Sequence, residues 1–210
     1  MLTVHHLNNS RSQRILWLLE ELDLDYEIKH YRRDPVTNLA PLELEAVHPL
    51  GKSPILTDSE NTIIESGAII DYILRRYGGG KLVPASGSVE YEQYLQWLHY
   101  AEGSAALPLM LKMYTSRLPD GGELLQPRIS DELSRHLGYM NKALAATGWF
   151  VGDSFSAADI QLSFVVEIAP LLHSMNELAY LDAFRQRIHA RPAYQRAIEK
   201  GGQYDFGPTS

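Results

Sequence analysis

The alternation of hydrophobic and polar positions in the first part of the chain predicts a small α/β unit. Residues 2–7 (Leu-Thr-Val-His-His-Leu) and 26–31 (Tyr-Glu-Ile-Lys-His-Tyr) alternate in the way that a half-buried β-strand requires. Between them, apolar residues recur at helical spacing, which predicts an amphipathic helix over about residues 12–22. A strand, a helix and a second strand in this order indicate a right-handed βαβ crossover.

A long loop and three short elements follow. Residues 32–50 contain three prolines and several polar residues, which favours a loop with one short helix near residues 42–47. Residues 54–66 then predict two short strands around a polar turn. The apolar residues from 68 onward predict a helix that ends near Tyr77.

The second half of the chain has a helical pattern throughout. Helical periodicity covers about residues 89–116, 128–147, 157–172 and 178–190, and a short helix follows Pro192. Ser156 and Asp159 have the spacing of a capping box at the start of one of these helices, and we assign that motif to folding.

A segment rich in glycine and proline, residues 77–87, separates the two patterns and indicates a linker. We therefore predict an α/β domain of residues 1–80, a linker of residues 81–87, and an all-α helical bundle domain of residues 88–210.

Composition narrows the class of protein. The chain has 210 residues, of which 45% are hydrophobic and 21% charged, so it can bury a sizeable core without metal or disulfide staples. Its net charge of -7 disfavours nucleic acid and anionic membranes as partners. No apolar run is long enough to span a bilayer, and the N-terminus lacks the pattern of a signal peptide, so a cytoplasmic location is expected.

The chain contains no cysteine, which excludes disulfides, thiolate metal sites and cysteine nucleophiles. Any thiol chemistry must therefore use a thiol from outside the chain. His5 and His6 are adjacent on a predicted strand and point to opposite faces, so they do not suit chelation, and no metal site is predicted.

Gly51, Lys52 and Ser53 look like the end of a phosphate-binding loop, whose pattern is G-x-x-x-x-G-K-[ST]. However, Ala46 occupies the position of the first glycine, and Pro54 follows Ser53 directly. Proline biases the preceding residue away from helical backbone, and the residues that follow look like a strand. The helix that would hold a phosphate is missing, so a nucleotide loop is not predicted.

Pro54 instead opens a predicted strand after a tight loop, which is a plausible position for a cis peptide bond with Ser53. A cis bond would turn the N–H and C=O of Ser53 outward as an unpaired strand edge. Such an edge can hold an extended peptide by backbone hydrogen bonds. On the residues alone, an ordinary trans turn proline remains the alternative.

The order β-α-β-loop-β-β-α, with proline opening the third strand, resembles the thioredoxin fold. With a helical domain after the linker, essentially the whole chain is similar to cytosolic glutathione transferases. Residues 5–28 look closer to bacterial and fungal members than to mammalian tyrosine-type ones. Three signatures, in this order and spacing, carry the resemblance: Ser53-Pro54, Glu65-Ser66, and residues 151–160 (Val-Gly-Asp-Ser-Phe-Ser-Ala-Ala-Asp-Ile).

The resemblance implies a thioredoxin-like α/β domain with a mixed four-stranded sheet, followed by an all-α bundle. It also implies that glutathione, a tripeptide with two carboxylates and one thiol, is the co-substrate. Ser66, predicted as the N-cap of a helix, would bind the γ-glutamyl carboxylate, and Glu65 would meet the α-ammonium. Ser53 would pair with the cysteinyl backbone. Lys52 and His48 would reach the glycyl carboxylate or stay solvated. The expected glutathione-binding residues are thus His48, Lys52, Ser53, Pro54, Glu65 and Ser66.

The thiol of glutathione needs activation, because a free thiol has a pKa of about 8.5. A hydroxyl that donates a hydrogen bond from a helix N-terminus stabilises the thiolate. Ser10, just before the first helix, matches the family position and is the expected catalytic residue, with Asn9 and Ser12 as alternates. Ser12 is also the expected N-cap of that helix. Without cysteine, and without tyrosine in residues 1–25, cysteine-type and tyrosine-type activation are excluded.

The resemblance also implies that the helix over residues 89–116 lines the electrophile pocket. Met110, Met113 and Tyr114 are the expected wall residues on it, because methionine and tyrosine make adaptable apolar surfaces. Plain core packing is the alternative for these residues. The family rule is a homodimer. The expected partners are glutathione and a small hydrophobic electrophile or peroxide, with no nucleic acid and no membrane.

We therefore predict a cytoplasmic, homodimeric glutathione transferase that serves detoxification. It would bind glutathione as the thiolate and conjugate it to electrophiles or reduce peroxides. Two alternatives share the fold: a glutathione-dependent disulfide reductase, and a non-catalytic binding or scaffold protein. The joint presence of Ser10, Ser53-Pro54 and Glu65-Ser66 favours an active site.

Overall fold

A computed structural model describes residues 1–208 of the chain and divides it into two units. Among the described residues, 1–82 and 189–208 form the first unit, and 83–188 form the second. The first unit contains β1 (Leu2–Leu7), α1 (Gln13–Leu22), β2 (Tyr26–Tyr31), β3 (Ile55–Asp58), β4 (Asn61–Ile64), α2 (Ser66–Tyr77) and, late in the chain, α8 (Pro192–Gly201). The second contains α3 (Val89–Tyr100), α4 (Ala106–Thr115), α5 (Gln126–Ala143), α6 (Ala157–Leu172) and α7 (Ala179–His189).

The strands form one mixed sheet in the order β2-β1-β3-β4. β1 runs parallel to β2, as the predicted crossover requires, and β3 runs antiparallel to both β1 and β4. A four-stranded mixed sheet with this order, followed by a helical unit, confirms the predicted fold class.

α1 is amphipathic but is buried on nearly all sides, its polar residues Gln13, Arg14 and Glu20 included. Ile15, Leu16, Leu18 and Leu19 are fully buried, and Trp17 is 1% exposed. Within the first unit, α1 contacts β1, α2 and α8. The buried helix fixes the position of the loop that precedes it.

The contact between α1 and α8 is built from ion pairs around a nearly buried carboxylate. Glu20 accepts hydrogen bonds from Arg196 at 2.8 Å and from Lys200 at 2.5 Å. The neighbouring Glu21 forms a two-bond pair with Arg191, at 2.6 and 2.8 Å. Because Glu20 is only 6% exposed, its charge needs these partners. They hold α8 against the sheet unit.

The structure divides the chain differently from the sequence prediction at its C-terminal end. We assigned residues 88–210 to the helical domain, whereas α8 and the described residues that follow it, up to residue 208, belong to the first unit. The aromatic rings of Trp17 and Tyr194 meet edge to face there, with centroids 5.2 Å apart. Helical periodicity indicates that α8 is amphipathic, but it does not say which surface its apolar side covers.

In the second unit, residues 89–115 are helical, as the pattern over residues 89–116 predicts, but two separate α-helices cover this range. One π-helical turn, Ala101–Ala105, separates α3 from α4 and contains Gly103. Such single turns insert one extra residue into an otherwise continuous helix and rotate the face that follows. The core of this unit includes Leu98, Leu109, Leu133, Leu137 and Val165.

α6 begins with the capping box predicted from the sequence. The Ser156 backbone N–H donates to the carboxylate of Asp159 at 2.8 Å, and the Ser156 hydroxyl donates to it at 3.0 Å. The Phe150 backbone N–H donates to the other carboxylate oxygen at 3.0 Å. Asp159 therefore joins the helix start to the preceding loop. Within residues 1–208, no helix has both the length and the apolar character needed to cross a membrane.

Candidate functional site

Three loops of the first unit meet at one end of its sheet. Strand register aligns His5, Ile55 and Ile64 in a row across β1, β3 and β4. β1 ends just beyond this row, β3 begins at it, and β4 ends at it. The loop with Ser10, the Ser53-Pro54 pair and the Glu65-Ser66 pair therefore leave the sheet at the same edge. The sequence motifs are brought together by the register.

The peptide bond between Ser53 and Pro54 is cis, so that prediction is confirmed. The Ser53 hydroxyl donates to the backbone carbonyl of His5 at 2.8 Å, which ties the turn to β1. Pro54 is buried, whereas Ser53 stays partly exposed. The proline thus packs inward and leaves the serine at the edge of the sheet.

Three serine hydroxyls form a chain at this edge. The Oγ atoms of Ser10 and Ser12 lie 2.7 Å apart, and Ser10 Oγ donates to Ser53 Oγ over a long 3.5 Å. The backbone N–H of Ser12 also donates to Ser10 Oγ, at 3.2 Å. The proton of Ser53 is directed to His5, so Ser53 faces Ser10 as an acceptor. Ser10 is the donor at the outer end of the chain.

Ser12 occupies the N-cap position of α1, as predicted, but its side chain does not cap the helix. Its backbone is already helical (φ -68, ψ -21), and its hydroxyl makes no capping bond. A capping side chain reaches the first-turn N–H groups from an extended backbone. The Ser12 hydroxyl instead contacts the backbone of Leu7 and, at 2.8 Å, the Nδ1 atom of His6.

His6 lies behind the serines and is 2% exposed. Burial lowers its pKa to about 4, the nearby imidazole of His30 adds to the effect, and the Gly201 backbone opposes it in part. His6 is therefore neutral at neutral pH. Its neighbour His5 points to the opposite face, where it bonds Tyr31 at 3.0 Å and Thr57 at 3.3 Å. Among residues 1–208, no cluster of three or more histidines and carboxylates could hold a metal ion.

Asn9 is held by the C-terminal segment of the first unit. Its side-chain amide donates to the carboxylate of Asp205 at 2.6 Å, and its side-chain oxygen accepts the Asp205 backbone N–H at 2.8 Å. The backbone of Asn9 is left-handed (φ 52), a conformation that asparagine tolerates better than most residues. Both polar ends of the Asn9 side chain are thus engaged within the loop and the tail.

Arg33 holds the loop before Ser10 in place, a role that no pattern in the sequence indicates. Its guanidinium donates to the backbone carbonyls of Asn8 at 3.1 Å, Asn9 at 3.2 Å and Asn38 at 3.0 Å. Its backbone N–H donates to the Asn8 side chain at 3.0 Å. From the sequence, an arginine in a polar loop is expected to be solvated. Only the tertiary structure shows that Arg33 fixes the loop before Ser10.

The Glu65-Ser66 pair stands where α2 leaves the sheet edge. Glu65, not Ser66, occupies the N-cap, which corrects the sequence assignment by one residue. The backbone of Glu65 has φ 65 and ψ 117, a region that residues with a side chain rarely adopt. Such backbone is typical of functional sites. Ser66 is 3% exposed in the first helical turn, and Glu65 is exposed.

The other candidate side chains are less constrained. Lys52 is exposed beside Ser53. The Nδ1 atom of His48 accepts the backbone N–H of Leu50 at 3.3 Å, so this ring helps to form its own turn. In the second unit, Met110 and Met113 are partly buried on α4, and Tyr114 is 60% exposed.

The sequence profiles of known families match both parts of the chain. The profile described as glutathione S-transferase, N-terminal domain, matches residues 1–75, and the profile described as glutathione S-transferase, C-terminal domain, matches residues 112–200. The chain belongs to the glutathione S-transferase family. Its predicted family and enzyme class, glutathione transferase, are confirmed at this level.

Individual members of the family are similar over nearly the whole chain. Glutathione S-transferase 3 of Schizosaccharomyces pombe is 33% identical, over 95% of this chain and 88% of the relative. The crystal structure of a glutathione S-transferase from Actinobacillus pleuropneumoniae superposes with a TM-score of 0.88 at 33% identity, over 100% of this chain and 97% of that one. A sphingomonad glutathione S-transferase complexed with glutathione gives a TM-score of 0.78 at 25% identity, over 95% and 98%.

Proposed function

We propose that the protein binds glutathione at the sheet edge of its first unit and that the Ser10 hydroxyl activates the glutathione thiol. The bound thiol releases its proton to solvent, and its sulfur then gives an electron pair to an electrophilic atom of a second substrate. With an alkylating electrophile, a leaving group departs with the bonding pair. With a peroxide, the sulfur bonds to one oxygen while the other leaves with the electron pair of the O–O bond and takes a proton, and a second glutathione then converts the sulfenic acid to glutathione disulfide and water. The enzyme contributes mainly by holding and stabilising the thiolate.

The hydrogen-bond geometry of Ser10 carries this proposal. Its O–H is the donor at the outer end of the serine chain, and its acceptor, Ser53 Oγ, lies at a long 3.5 Å. A thiolate beside Ser10 offers a much stronger acceptor, because hydrogen bonds to charged groups are worth about 1.5–3 kcal/mol. By the linkage between free energy and ionisation, that range corresponds to a lowering of the thiol pKa by about one to two units.

The two alternates fit this role less well. Ser12 has an exposed fraction of 0%, so its hydroxyl does not reach a ligand, whereas Ser10 retains 5%. The amide of Asn9 already donates to Asp205 at 2.6 Å. We therefore assign the contact with the sulfur to Ser10.

The ends of glutathione are assigned to the flanking motifs. The start of α2 directs backbone N–H groups and the positive end of the helix dipole toward a carboxylate, which we propose is the γ-glutamyl group at Ser66. Glu65, exposed in its rare backbone conformation, would pair with the α-ammonium. The Ser53 backbone next to Pro54 would pair with the cysteinyl residue. Lys52, with His48, would face the glycyl carboxylate.

The second substrate and the assembly follow the family pattern in our proposal. Met110, Met113 and Tyr114 would contact a small hydrophobic electrophile, and the protein would act as a homodimer in detoxification. The cytosol keeps glutathione reduced, as a thiol-dependent transferase requires, which favours a cytoplasmic location. Glutathione itself serves as co-substrate, in line with the sphingomonad relative complexed with it.

The deciding experiment is calorimetric titration of the protein with glutathione, followed by thiolate absorbance of the complex across pH. We expect saturable binding and a bound-thiol pKa about one to two units below the free value of about 8.5. Binding without a pKa shift would contradict thiol activation and favour a carrier. An absence of binding would favour the scaffold alternative.

Ser66→Ala is expected to weaken glutathione binding. Loss of one hydrogen bond to a carboxylate, worth about 1.5–3 kcal/mol, predicts a dissociation constant about tenfold to a hundredfold higher. The bound-thiol pKa should stay near its wild-type value, because Ser66 would contact the opposite end of the ligand. Calorimetric titration measures the change, and Ser88→Ala, at the cap of α3, is a matched serine control. Unchanged affinity would rule out the role of Ser66.

A further inference from the structure

His6 stands at the buried end of the hydrogen-bonded chain that leads to Ser10. Its Nδ1 atom lies 2.8 Å from Ser12 Oγ, which in turn lies 2.7 Å from Ser10 Oγ. Both distances are those of strong hydrogen bonds. The chain connects a histidine with an exposed fraction of 2% to a hydroxyl at the edge of the proposed glutathione site.

The bonding capacity of Ser12 couples the two short contacts. A serine hydroxyl has one proton to donate and two lone pairs that accept. The backbone N–H of Leu7, at 3.3 Å, takes one lone pair. One lone pair and one proton then remain for His6 and Ser10. The Leu7 carbonyl, at 3.3 Å, is a longer and weaker alternative for that proton. One short bond is therefore accepted by Ser12 and the other is donated.

Two arrangements satisfy this condition, and the tautomer of His6 selects between them. With the proton on Nδ1, His6 donates to Ser12, Ser12 donates to Ser10, and the Ser10 proton is free to point outward. With the proton on Nε2, His6 accepts from Ser12, and Ser12 then accepts the proton of Ser10. Only the first arrangement lets Ser10 donate to a thiolate. In the second arrangement, Ser10 presents a lone pair, which can accept a hydrogen bond from the S–H of an un-ionised thiol.

The surroundings of His6 favour the first arrangement. Its Nε2 atom is buried and makes no hydrogen bond of good geometry among the described residues, and the ring's contact with the Gly201 backbone offsets the effect of burial only in part. A proton on Nε2 would therefore be a buried and poorly bonded N–H, which folded proteins rarely tolerate, whereas a proton on Nδ1 is bonded to Ser12 at 2.8 Å. Around the ring are His30 from β2, Ser12 just before α1, and the Gly201 backbone from α8. Of these three, only His30 has an ionisable side chain.

We propose that His6, as the neutral Nδ1–H tautomer, is a positioning residue that orients the Ser12 and Ser10 hydroxyl protons toward the glutathione sulfur. The proposal deepens the proposed function and rests on Ser10 as the partner of the thiolate. His6 does not touch the ligand; it acts through the direction of two hydroxyl protons. The neutral ring keeps that direction constant over the working pH range, because burial holds the pKa of His6 at about 4.

The test compares His6→Leu, which removes the donor, with His6→Asn, whose side-chain amide can donate from nearly the position of Nδ1. Thiolate absorbance across pH gives the bound-thiol pKa, and calorimetry with S-methylglutathione, which has no ionisable thiol, reports ligand binding alone. We expect His6→Leu to lower the thiolate fraction of bound glutathione at pH 7 about tenfold, one pKa unit. Binding of S-methylglutathione should stay within about twofold of wild type. His6→Asn should restore most of the thiolate fraction.

Nitrogen-15 NMR of the histidines in the wild-type glutathione complex reads the tautomer directly. We expect the Nδ1–H form for His6. An Nε2–H form in a complex that carries the thiolate would overturn the proposal. A bound-thiol pKa in His6→Leu equal to that of the wild type would also overturn it. An equal loss of the thiolate fraction in His6→Leu and His6→Asn would overturn it too, because equal losses indicate packing alone.

Two controls separate this proposal from the proposed function. If wild-type protein does not lower the thiol pKa, both fail; if Ser10→Ala abolishes the shift while His6→Leu keeps it, only the role of His6 fails. If His6→Leu does not fold, Ser12→Ala replaces it, since it breaks the same chain. Ser12→Ala should lower the thiolate fraction about as much as His6→Leu does. The double variant with Ser12→Ala and His6→Asn should have the same thiolate fraction as Ser12→Ala alone. A wild-type thiol pKa in Ser12→Ala would overturn the proposal.

Discussion

Ser10→Ala is expected to raise the pKa of bound glutathione by about one to two units and to lower turnover at neutral pH about 10- to 100-fold. The change removes the one donor that the serine chain directs outward, so the thiolate loses a charge-assisted hydrogen bond worth about 1.5–3 kcal/mol. Stopped-flow absorbance of the thiolate, and steady-state rates with a chromogenic electrophile, measure the two effects.

Binding of S-methylglutathione serves as the internal control for Ser10→Ala, and it should stay within about threefold of wild type. Ser10→Thr keeps a hydroxyl and should recover part of the rate, while Ser154→Ala removes an exposed serine from the other unit and should change nothing. Ser10 Oγ also accepts the Ser12 backbone N–H, so a thermal melt must show that the variant is folded. Wild-type turnover in folded Ser10→Ala would transfer the role to another donor.

Asp159→Ala should produce the largest loss of stability among the substitutions considered. Asp159 is completely buried and accepts bonds from the backbone N–H groups of Phe150 and Ser156 and from the Ser156 hydroxyl. Alanine leaves two buried N–H donors without acceptors, at a cost of about 1–3 kcal/mol each. We expect the free energy of unfolding to fall by about 3 kcal/mol, and the midpoint of thermal unfolding by about 6–12 °C.

Asp153→Ala is the matched control for Asp159→Ala, because Asp153 is an exposed aspartate in the same segment. Its thermal midpoint should stay within about 1 °C of wild type, as is usual for surface substitutions. Chemical denaturation followed by tryptophan fluorescence gives the free energies. An equally small effect of Asp159→Ala would contradict a structural role for the capping box.

The loss caused by Asp159→Ala should depend on pH in a defined direction. Burial raises the pKa of Asp159 from 3.8 to about 6, although the hydrogen bonds from Phe150 and Ser156 partly oppose the shift. Since the folded pKa lies above the unfolded one, the associated stability is fully present below about pH 4 and is lost as pH rises through about 6. Asp159→Ala should therefore cost more stability at pH 5 than at pH 7.5, and the opposite order would contradict the raised pKa.

Prediction from the sequence succeeded where a local rule acts. The alternation of β1 and β2, the apolar stripe of α1 and the Ser156–Asp159 spacing each specify a structure through neighbours in the chain, and all are present as predicted. The cis bond before Pro54 needed one further step, the element order around it.

Prediction was less accurate where a residue has local and distant options of similar energy. Ser12 could cap α1 or bond to β1, and the packed structure selects β1, because His6 and the Leu7 backbone lie within reach of its hydroxyl. The Arg33 side chain could be solvated or could bind the loop backbone, and its hydrogen bonds to three loop carbonyls favour the bound position.

The amino-acid sequence by itself determined the element order, the mixed sheet, the absence of any cysteine nucleophile and the motifs expected to bind glutathione. The element order and the absence of a cysteine nucleophile follow from periodicity, turn chemistry and composition, which are properties of short segments, whereas the mixed sheet and the glutathione-binding motifs follow from the resemblance to glutathione transferases. Only the tertiary structure decided that α8 packs against α1, that Asn9 is tied to Asp205, and that a buried histidine stands behind Ser10. Each of these depends on contacts between residues far apart in the chain or on opposite sides of a loop, and no local pattern encodes which partner will be in reach.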